Sequence, residues 1–362
     1  MSGKAEGMQA PPKAPSGIPE ATVLVTAYNR SRFLERALES ACAQECSPEL
    51  FEVILLSNVP AHGDVLRAVG ERHPRHRLRF QLVGEMSIGE MLALGVEEAH
   101  GPVLCLLNDD DEWAPSKLTR VLSAFHKRPD LVYVWNGVQR ISATGETLQT
   151  RGRFAASGRP SDEEEHVDGS HPSELARVLR WRSLGFNDSA ISLRRDMVRA
   201  VLPRLRSLRT NEDSFLLYAA AISGRSMLFL SDRLTRYRVH GEGMSQSANT
   251  DESEAWTKLE QNDRRELASW EVIVDMAREH HRSNLLPLIF REREFTRLVA
   301  LSRAKEASRG DIARGIVAFL PYSARLRRWP GALALGWSLL SLFSRSLSRR
   351  AYLVSVRVQS NR

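Results

Sequence analysis

Four short segments carry residue types that could do chemistry. The densest is LLNDDDEW, Leu106–Trp113, where Asp109, Asp110 and Asp111 directly follow an apolar run. Three adjacent carboxylates repel one another, so such a run is costly unless solvent or a cation relieves it. Hard oxygen donors in that arrangement suit Mg2+ or Mn2+ held together with substrate phosphates. The plainer alternative is a solvated acidic turn capping the next helix. TAYNR, Thr26–Arg30, offers a hydroxyl, an aromatic face, an amide and a guanidinium, fit to stack on a base and meet phosphate. Asn29 alone would also serve as a helix cap. TNEDSFLLYAA, Thr210–Ala220, sets Glu212 and Asp213 at the start of an apolar helix. There they are either dipole partners or a general base. RYRVHGEGMSQ, Arg236–Gln246, presents His240 at a Gly-containing turn, where a lone histidine is either a ligand or a surface residue.

The elements that must position these residues alternate. TVLVT (Thr22–Thr26) reads as a buried strand, EVILL (Glu52–Leu56), Leu78–Val83 and VLCLL (Val103–Leu107) read as strands, and Leu131–Trp135 is another apolar run. Between them, Arg30–Ala43, Asp64–Arg72, Ile88–Ala99 and Pro115–His126 carry helical spacing, the last opening on proline. Strands alternating with helices of about a dozen residues predict an α/β fold, a mostly parallel sheet with helices on both faces. Ligands then sit at the carboxyl ends of the strands, where TAYNR and NDDD fall. Residues 141–172 read as one long nonperiodic loop. Residues 254–308 read as charged helices, the second around Phe290–Lys305. No internal repeat is evident.

Taken together, TAYNR, LNDDDEW, NED and YRVHGEGMS resemble glycosyltransferase family 2 in order and spacing. GEMSIGEMLALGVEEAHG ahead of the acidic motif and GFNDSAISLRRDM (Gly185–Met197) after it add to the likeness, which spans about residues 20–247. The resemblance implies a Rossmann-like GT-A domain, here residues 20–250, and a metal-dependent, inverting, hexosyltransferase-like enzyme. Its donor would be a nucleotide-diphosphate sugar, UDP-sugar favoured. Its acceptor would be a glycan or lipid-linked hydroxyl, as in polysaccharide synthesis. Carried over, Thr26, Tyr28, Arg30, Asn58, Asn108 and Asp109 would hold the nucleotide. Asp110, Asp111 and His240 would hold Mn2+ or Mg2+, and Asp213, with Glu212 beside it, would be the base. Two positions depart from the family pattern: Asn108 replaces the first aspartate of the acidic motif, and Ser57–Asn58 replaces an acidic pair after the second strand. These departures motivate an alternative, a catalytically silent relative that binds nucleotide-sugars or glycans.

Composition bounds the remainder. With 42% hydrophobic residues, the 362-residue chain can bury an ordinary core. Three cysteines (Cys42, Cys46, Cys105) make no disulfide framework or zinc spacing and predict a reducing, cytoplasmic setting. Residues 1–19, polar and rich in Pro and Gly, without an apolar core of signal-peptide type, are expected to be a disordered lead. From Arg303 to the end, twelve basic residues face only Glu306 and Asp311, a local charge of +10 that leaves −3 for the body of a chain whose net charge is +7. That asymmetry disfavours a nucleic-acid partner and suits anionic headgroups. Gly331–Phe343 (GALALGWSLLSLF) is thirteen apolar or small residues with arginines on both sides. It is too short to span a bilayer and fits an interfacial helix, a packed terminal helix or a dimer contact. The expected organisation is therefore a helical extension at 251–308 and a membrane-associating tail at 309–362, peripheral on the inner face of the cell membrane.

Overall fold

A computed structural model describes residues 17–148, 164–179, 187–240, 252–323, 335–336 and 338–342. The first half alternates as expected: β1 (Ala21–Ala27), α1 (Leu34–Cys42), β2 (Phe51–Ser57), α2 (His62–Arg72), β3 (Arg77–Leu82), α3 (Ile88–Glu98), β4 (Val103–Asn108), β5 (Glu112–Trp113), α4 (Lys117–Lys127) and β6 (Leu131–Ile141). There follow β7 (Glu165–Val167), α5 (Pro172–Leu179), β8 (Ile191–Arg194), α6 (Arg195–Ala200), α7 (Leu202–Ser207), α8 (Glu212–Ser223) and β9 (Ser226–Arg238). Three helices close the order: α9 (Glu252–Glu279), α10 (Leu286–Arg303) and α11 (Arg309–Ser323).

The sheet runs β3-β2-β1-β4-β8-β6-β9-β5, with β7 added beside β9. Its first four strands are parallel, and every residue of β1 and β2 is buried. Alternate side chains enter two cores: Leu24 packs under α3 and α8, and Val23 and Val25 pack under α1 and α4. β8 lies antiparallel between β4 and β6, so the sheet is mixed beyond β4. β6 and β9 pair in parallel through a register shift at Gly137, where a Cβ would stand 2.7 Å from the Ser231 carbonyl oxygen. Helix α3 is fixed by a capping box in which Ser87 and Glu90 exchange side-chain and backbone bonds.

Three sequence expectations shift. Residues 30–33 stay outside α1, because Asn29 takes a left-handed φ of 56° and turns the chain before the helix starts. The stretch 141–172 is not one loop, since it contains an Ile141–Thr147 bridge, β7 and the start of α5; residues 149–163 lie outside the described residues. The C-terminal helices are built onto the main core. Trp270 of α9 meets Tyr218 of α8 edge-on at 5.6 Å, and Ile273, Val274 and Ala277 join the same core. α11, which the sequence groups with the tail, packs Phe319 onto Leu298 and Val299 of α10. Of the apolar run 331–343, the described residues include Ser341, whose hydroxyl donates to the Ser302 carbonyl of α10 at 3.2 Å. The rest of the run, Trp337 and Phe343 included, lies outside the described residues, as do residues 1–16. Among the described residues no helix is long and apolar enough to cross a membrane, and the three cysteines are free.

Candidate active site

The carboxyl ends of β1, β2 and β4 meet at one edge, and each delivers a candidate. Thr26 is buried, in register with Leu56 on one side and Asn108 on the other. Tyr28 follows with its ring exposed. Asn29 and Asn58 form a reciprocal amide pair: Asn29 N donates to Asn58 Oδ1 at 3.0 Å, and Asn58 Nδ2 donates to Asn29 Oδ1 at 2.7 Å. Beneath that pair, buried His62 bridges Ser57 and Ser31 with two 2.7 Å bonds. The Ser57–Asn58 departure thus has a structural role, tying the β2 end to the loop after β1.

The three aspartates, equivalent in sequence, are divided by the fold. Arg30 bridges two of them, Nη2 to Asp109 Oδ1 at 2.6 Å and Nη1 to Asp110 Oδ2 at 3.0 Å. Asp110 Oδ2 also lies 3.2 Å from His240 Nε2, and the imidazole rests edge-on against Phe33 at 4.9 Å. Asp111, expected among the metal ligands, points inward instead: Oδ1 accepts from Arg238 N at 2.9 Å, and Oδ2 accepts from Asn187 Nδ2 at 2.9 Å and Ser189 Oγ at 2.7 Å. Burial pushes Asp109 and Asp111 up to about 7, with the neighbouring carboxylates adding to it. Asp110 is held below its ordinary value by the His240 bond and by Arg30, which outweigh its burial. Among the described residues no three His, Cys, Asp or Glu side chains are grouped to hold an ion. Asp110 and His240 do fit as a protein donor pair for a cation completed by phosphate and water; the inward-turned Asp111 does not.

A second acidic group faces this one across the turn Asn187–Ala190. Asn187 takes a φ of 76°, caps the turn through Ser189 N at 2.7 Å, and donates its own N–H to Asp213 Oδ2 at 3.2 Å. Asp213 Oδ1 accepts from Ser214 N at 2.6 Å. Glu212 and Asp213 begin α8 after Asn211, itself left-handed at φ 65°. Burial pushes Asp213 up to about 6, and burial with the Asp213 charge pushes Glu212 up to about 7. Fully surrounded Asp188 is driven well above the ordinary range by burial and the charges of Glu212 and Asp213, and its side chain is hydrogen-bonded to Glu212.

Sequence reading missed the turn that joins the two groups. Ser189 Oγ also accepts from Asn108 N at 3.0 Å. The Ser189 carbonyl accepts from Trp113 Nε1 at 2.9 Å, from Thr235 Oγ1 at 2.8 Å and from the fully buried Lys117 Nζ. Burial lowers Lys117 to about 7. The signal was present in NDSA as a run of capping residues, but a capping run has many uses; Lys117 at a helix start reads as a surface residue.

Comparison with known proteins agrees with the geometry. The family described as "Glycosyltransferase like family 2" matches residues 19–269. The chain is 26% identical over 240 residues, 65% of its length and 70% of the relative's, to an uncharacterized glycosyltransferase of Nostoc sp.. Its fold is similar to the Pyrobaculum calidifontis mannosyltransferase PcManGT, solved with GDP-Man and Mn2+, at a TM-score of 0.53 and 17% identity over 97% of this chain and 89% of that one. Residues 1–349 of TarS from S. aureus, solved with UDP-GlcNAc, give a TM-score of 0.51 at 14% identity over 93% and 92% of the two chains. The sheet is thus of the GT-A type. With a family match over most of its length and the acidic turn, the α8 carboxylates and the histidine after β9 assembled at one sheet edge, the chain belongs to glycosyltransferase family 2 and is a transferase.

Proposed function

We propose that this enzyme moves a sugar from a nucleoside-diphosphate sugar to an acceptor hydroxyl, on a glycan or a lipid-linked carrier, in one inverting displacement. One observation carries the reading: the turn Asn187–Ser189 hydrogen-bonds both acidic groups, Asp111 through two side chains and Asp213 through a backbone N–H. The acidic turn that carries Asp110 and the acceptor-side Asp213 are thereby fixed to one short segment, the positional control a bimolecular transfer needs.

Asp213 takes the proton of the attacking hydroxyl. Raised to about 6, it is more basic than an ordinary aspartate yet still mostly ionised at neutral pH. Glu212 is hydrogen-bonded to Asp188, which leaves Asp213 the freer acceptor. Tyr28 offers a stacking face for the base beside the Asn29–Asn58 pair, and Arg30 turns from its aspartates toward the diphosphate. Asp110 and His240 would hold the divalent cation, which neutralises charge on the departing diphosphate. A carboxylate–imidazole pair suits Mn2+ better than Mg2+, and the Mn2+ of the archaeal relative's complex supports the same choice. The +10 tail supports attachment to an anionic inner membrane face.

The test is transfer of labelled sugar from UDP- and GDP-sugars, with Mn2+, Mg2+ or chelator, by the parent and by Asp110→Ala. Transfer should vanish with chelator, and the variant should lose the cation-dependent part of its nucleotide affinity. Equal nucleotide affinity with and without divalent cation removes the proposed metal role.

A further inference from the structure

The sheet edge opposite the active site carries a second concentration of charge. Pro102 precedes β4, Pro129 precedes β6, Arg225 precedes β9, and β8, running the other way, ends on Arg194. These residues line a cavity of about 470 Å³ with Arg195, Asp196 and Arg199 of α6. Four guanidinium groups therefore face one carboxylate.

Three of the four cations are held, and one of them meets a carboxylate. Arg194 donates to the carbonyls of Leu131 at 3.2 Å and Phe125 at 3.0 Å and lies over the Phe125 ring. Arg195 donates to the Ala99 carbonyl. Carbonyl partners fix the position of a guanidinium and leave its charge intact. Arg225 alone meets the carboxylate, Nη1 to Asp196 Oδ2 at 3.1 Å. Arg199 pairs with none of the described residues. Burial depresses Arg194, with Asp196 opposing that shift and the Arg225 charge adding to it. A purely architectural use explains Arg194 and Arg195, which close the ends of α4 and α3. It does not explain why Arg199 and Arg225 converge on the same space.

We propose that this cavity is a second, noncatalytic anion site that takes a multiply charged phosphate group, either free or on a lipid headgroup. Planar guanidinium groups match phosphate oxygens in pairs, and a cavity of this size admits a diphosphate with room for its ester. The ligand would supply the negative charge the site lacks. Its place at the amino ends of β4, β6 and β9 separates it from the donor site at their carboxyl ends.

The probe is inorganic diphosphate, titrated calorimetrically into the full-length protein with chelator present, so that cation-dependent binding at the donor site is silent. The expected result is one diphosphate bound, with affinity falling as salt rises. Arg199→Ala with Arg225→Ala should weaken it at least about tenfold while thermal stability stays near the parent's. Asp196→Asn, which keeps the Asp196 acceptor for Met197 N but removes the opposing charge, should tighten it severalfold. An architectural role predicts no tightening. Vesicles containing phosphatidic acid, set against phosphatidylcholine alone, identify the source: binding lost in the double variant assigns a headgroup, and loss confined to soluble diphosphate assigns a free anion. No binding in chelator to either probe, or binding unaffected by the double variant, overturns the site.

Discussion

Replacing Asp213 by asparagine separates proton transfer from everything else the residue does. Its two oxygens have different partners: Oδ1 accepts from Ser214 N at 2.6 Å and Oδ2 accepts from Asn187 N at 3.2 Å. An asparagine amide oxygen can keep the shorter bond, which leaves an NH2 group against the Asn187 N–H. That mismatch should cost about 1 kcal/mol, too little to unfold a domain of this size. Nucleotide-sugar affinity should be nearly unchanged, because no bond to Arg30, Asp110 or His240 is touched. Turnover should fall about 10²-fold or more, the usual contribution of a positioned base. The pH profile adds an independent reading. With Asp213 titrating near 6, the parent should be about 90% in the basic form at pH 7 and about 10% at pH 5, so kcat/KM should drop close to tenfold across that interval. The variant's residual rate should be flat there. Initial-rate assays with a saturating acceptor read both effects. A variant within a few-fold of the parent, or one that keeps the acid limb near pH 6, shows that Asp213 is not the base.

Three further outcomes follow from the same geometry. Ser189→Ala removes the hydroxyl that serves Asp111 and Asn108 N, and should cost about 1–3 kcal/mol by leaving buried groups unpaired, read as a lowered Tm together with a lowered kcat; an unchanged Tm would mean the hydroxyl is dispensable. Asp188, Glu212 and Asp213 all have folded-state values above their ordinary ones, so the folded state keeps protons that the unfolded chain has lost, and stability should fall as pH rises from about 4 to about 7. Glu212→Gln should flatten that slope in chemical denaturation, and an equally steep variant would locate the protons elsewhere. A chain ending after Ser323 should keep the packed α10–α11 pair yet lose sedimentation with anionic liposomes, and equal partition with the full chain would make the remaining tail a packing element.

The parts of this fold that were legible in sequence are those whose burial leaves no choice. β1, β2 and β4 are covered on both faces, so they read as unbroken apolar runs, and polar residues immediately beyond them had to stand at the ligand edge. Arg30 and Asp110 stand just beyond β1 and β4 in that way, His240 stands beyond β9, and the three do meet. β8 and β7, four and three residues long, are too short to show a period, and α6 and α7 are six residues each. Their identity comes from neighbours distant in the chain. Asp111 failed for a different reason. Sequence gives three equal aspartates, whereas the fold turns one to Arg30, one to Arg30 and His240, and one inward to the turn before β8.

That inward aspartate explains why the chain tolerates a buried lysine. Among the described residues Lys117 has no carboxylate bonded to it; its ammonium donates to the Ser189 carbonyl and to Thr235 Oγ1, and the nearby Cys105 and Asp111 work against its desolvation. Asp111 is likewise fully surrounded and is satisfied by neutral donors, two of them from the same turn. Lys117 and Asp111, both drawn by burial to about 7, therefore share Ser189 without touching, its carbonyl accepting from the ammonium and its hydroxyl donating to the carboxylate. An isolated buried charge is costly, and one of these without the other would pull the turn toward whichever side retained its partner. The turn also orients Asp213 through Asn187 N. Lys117, fully buried, thus holds the segment to which both carboxylate groups are tied through the Ser189 carbonyl.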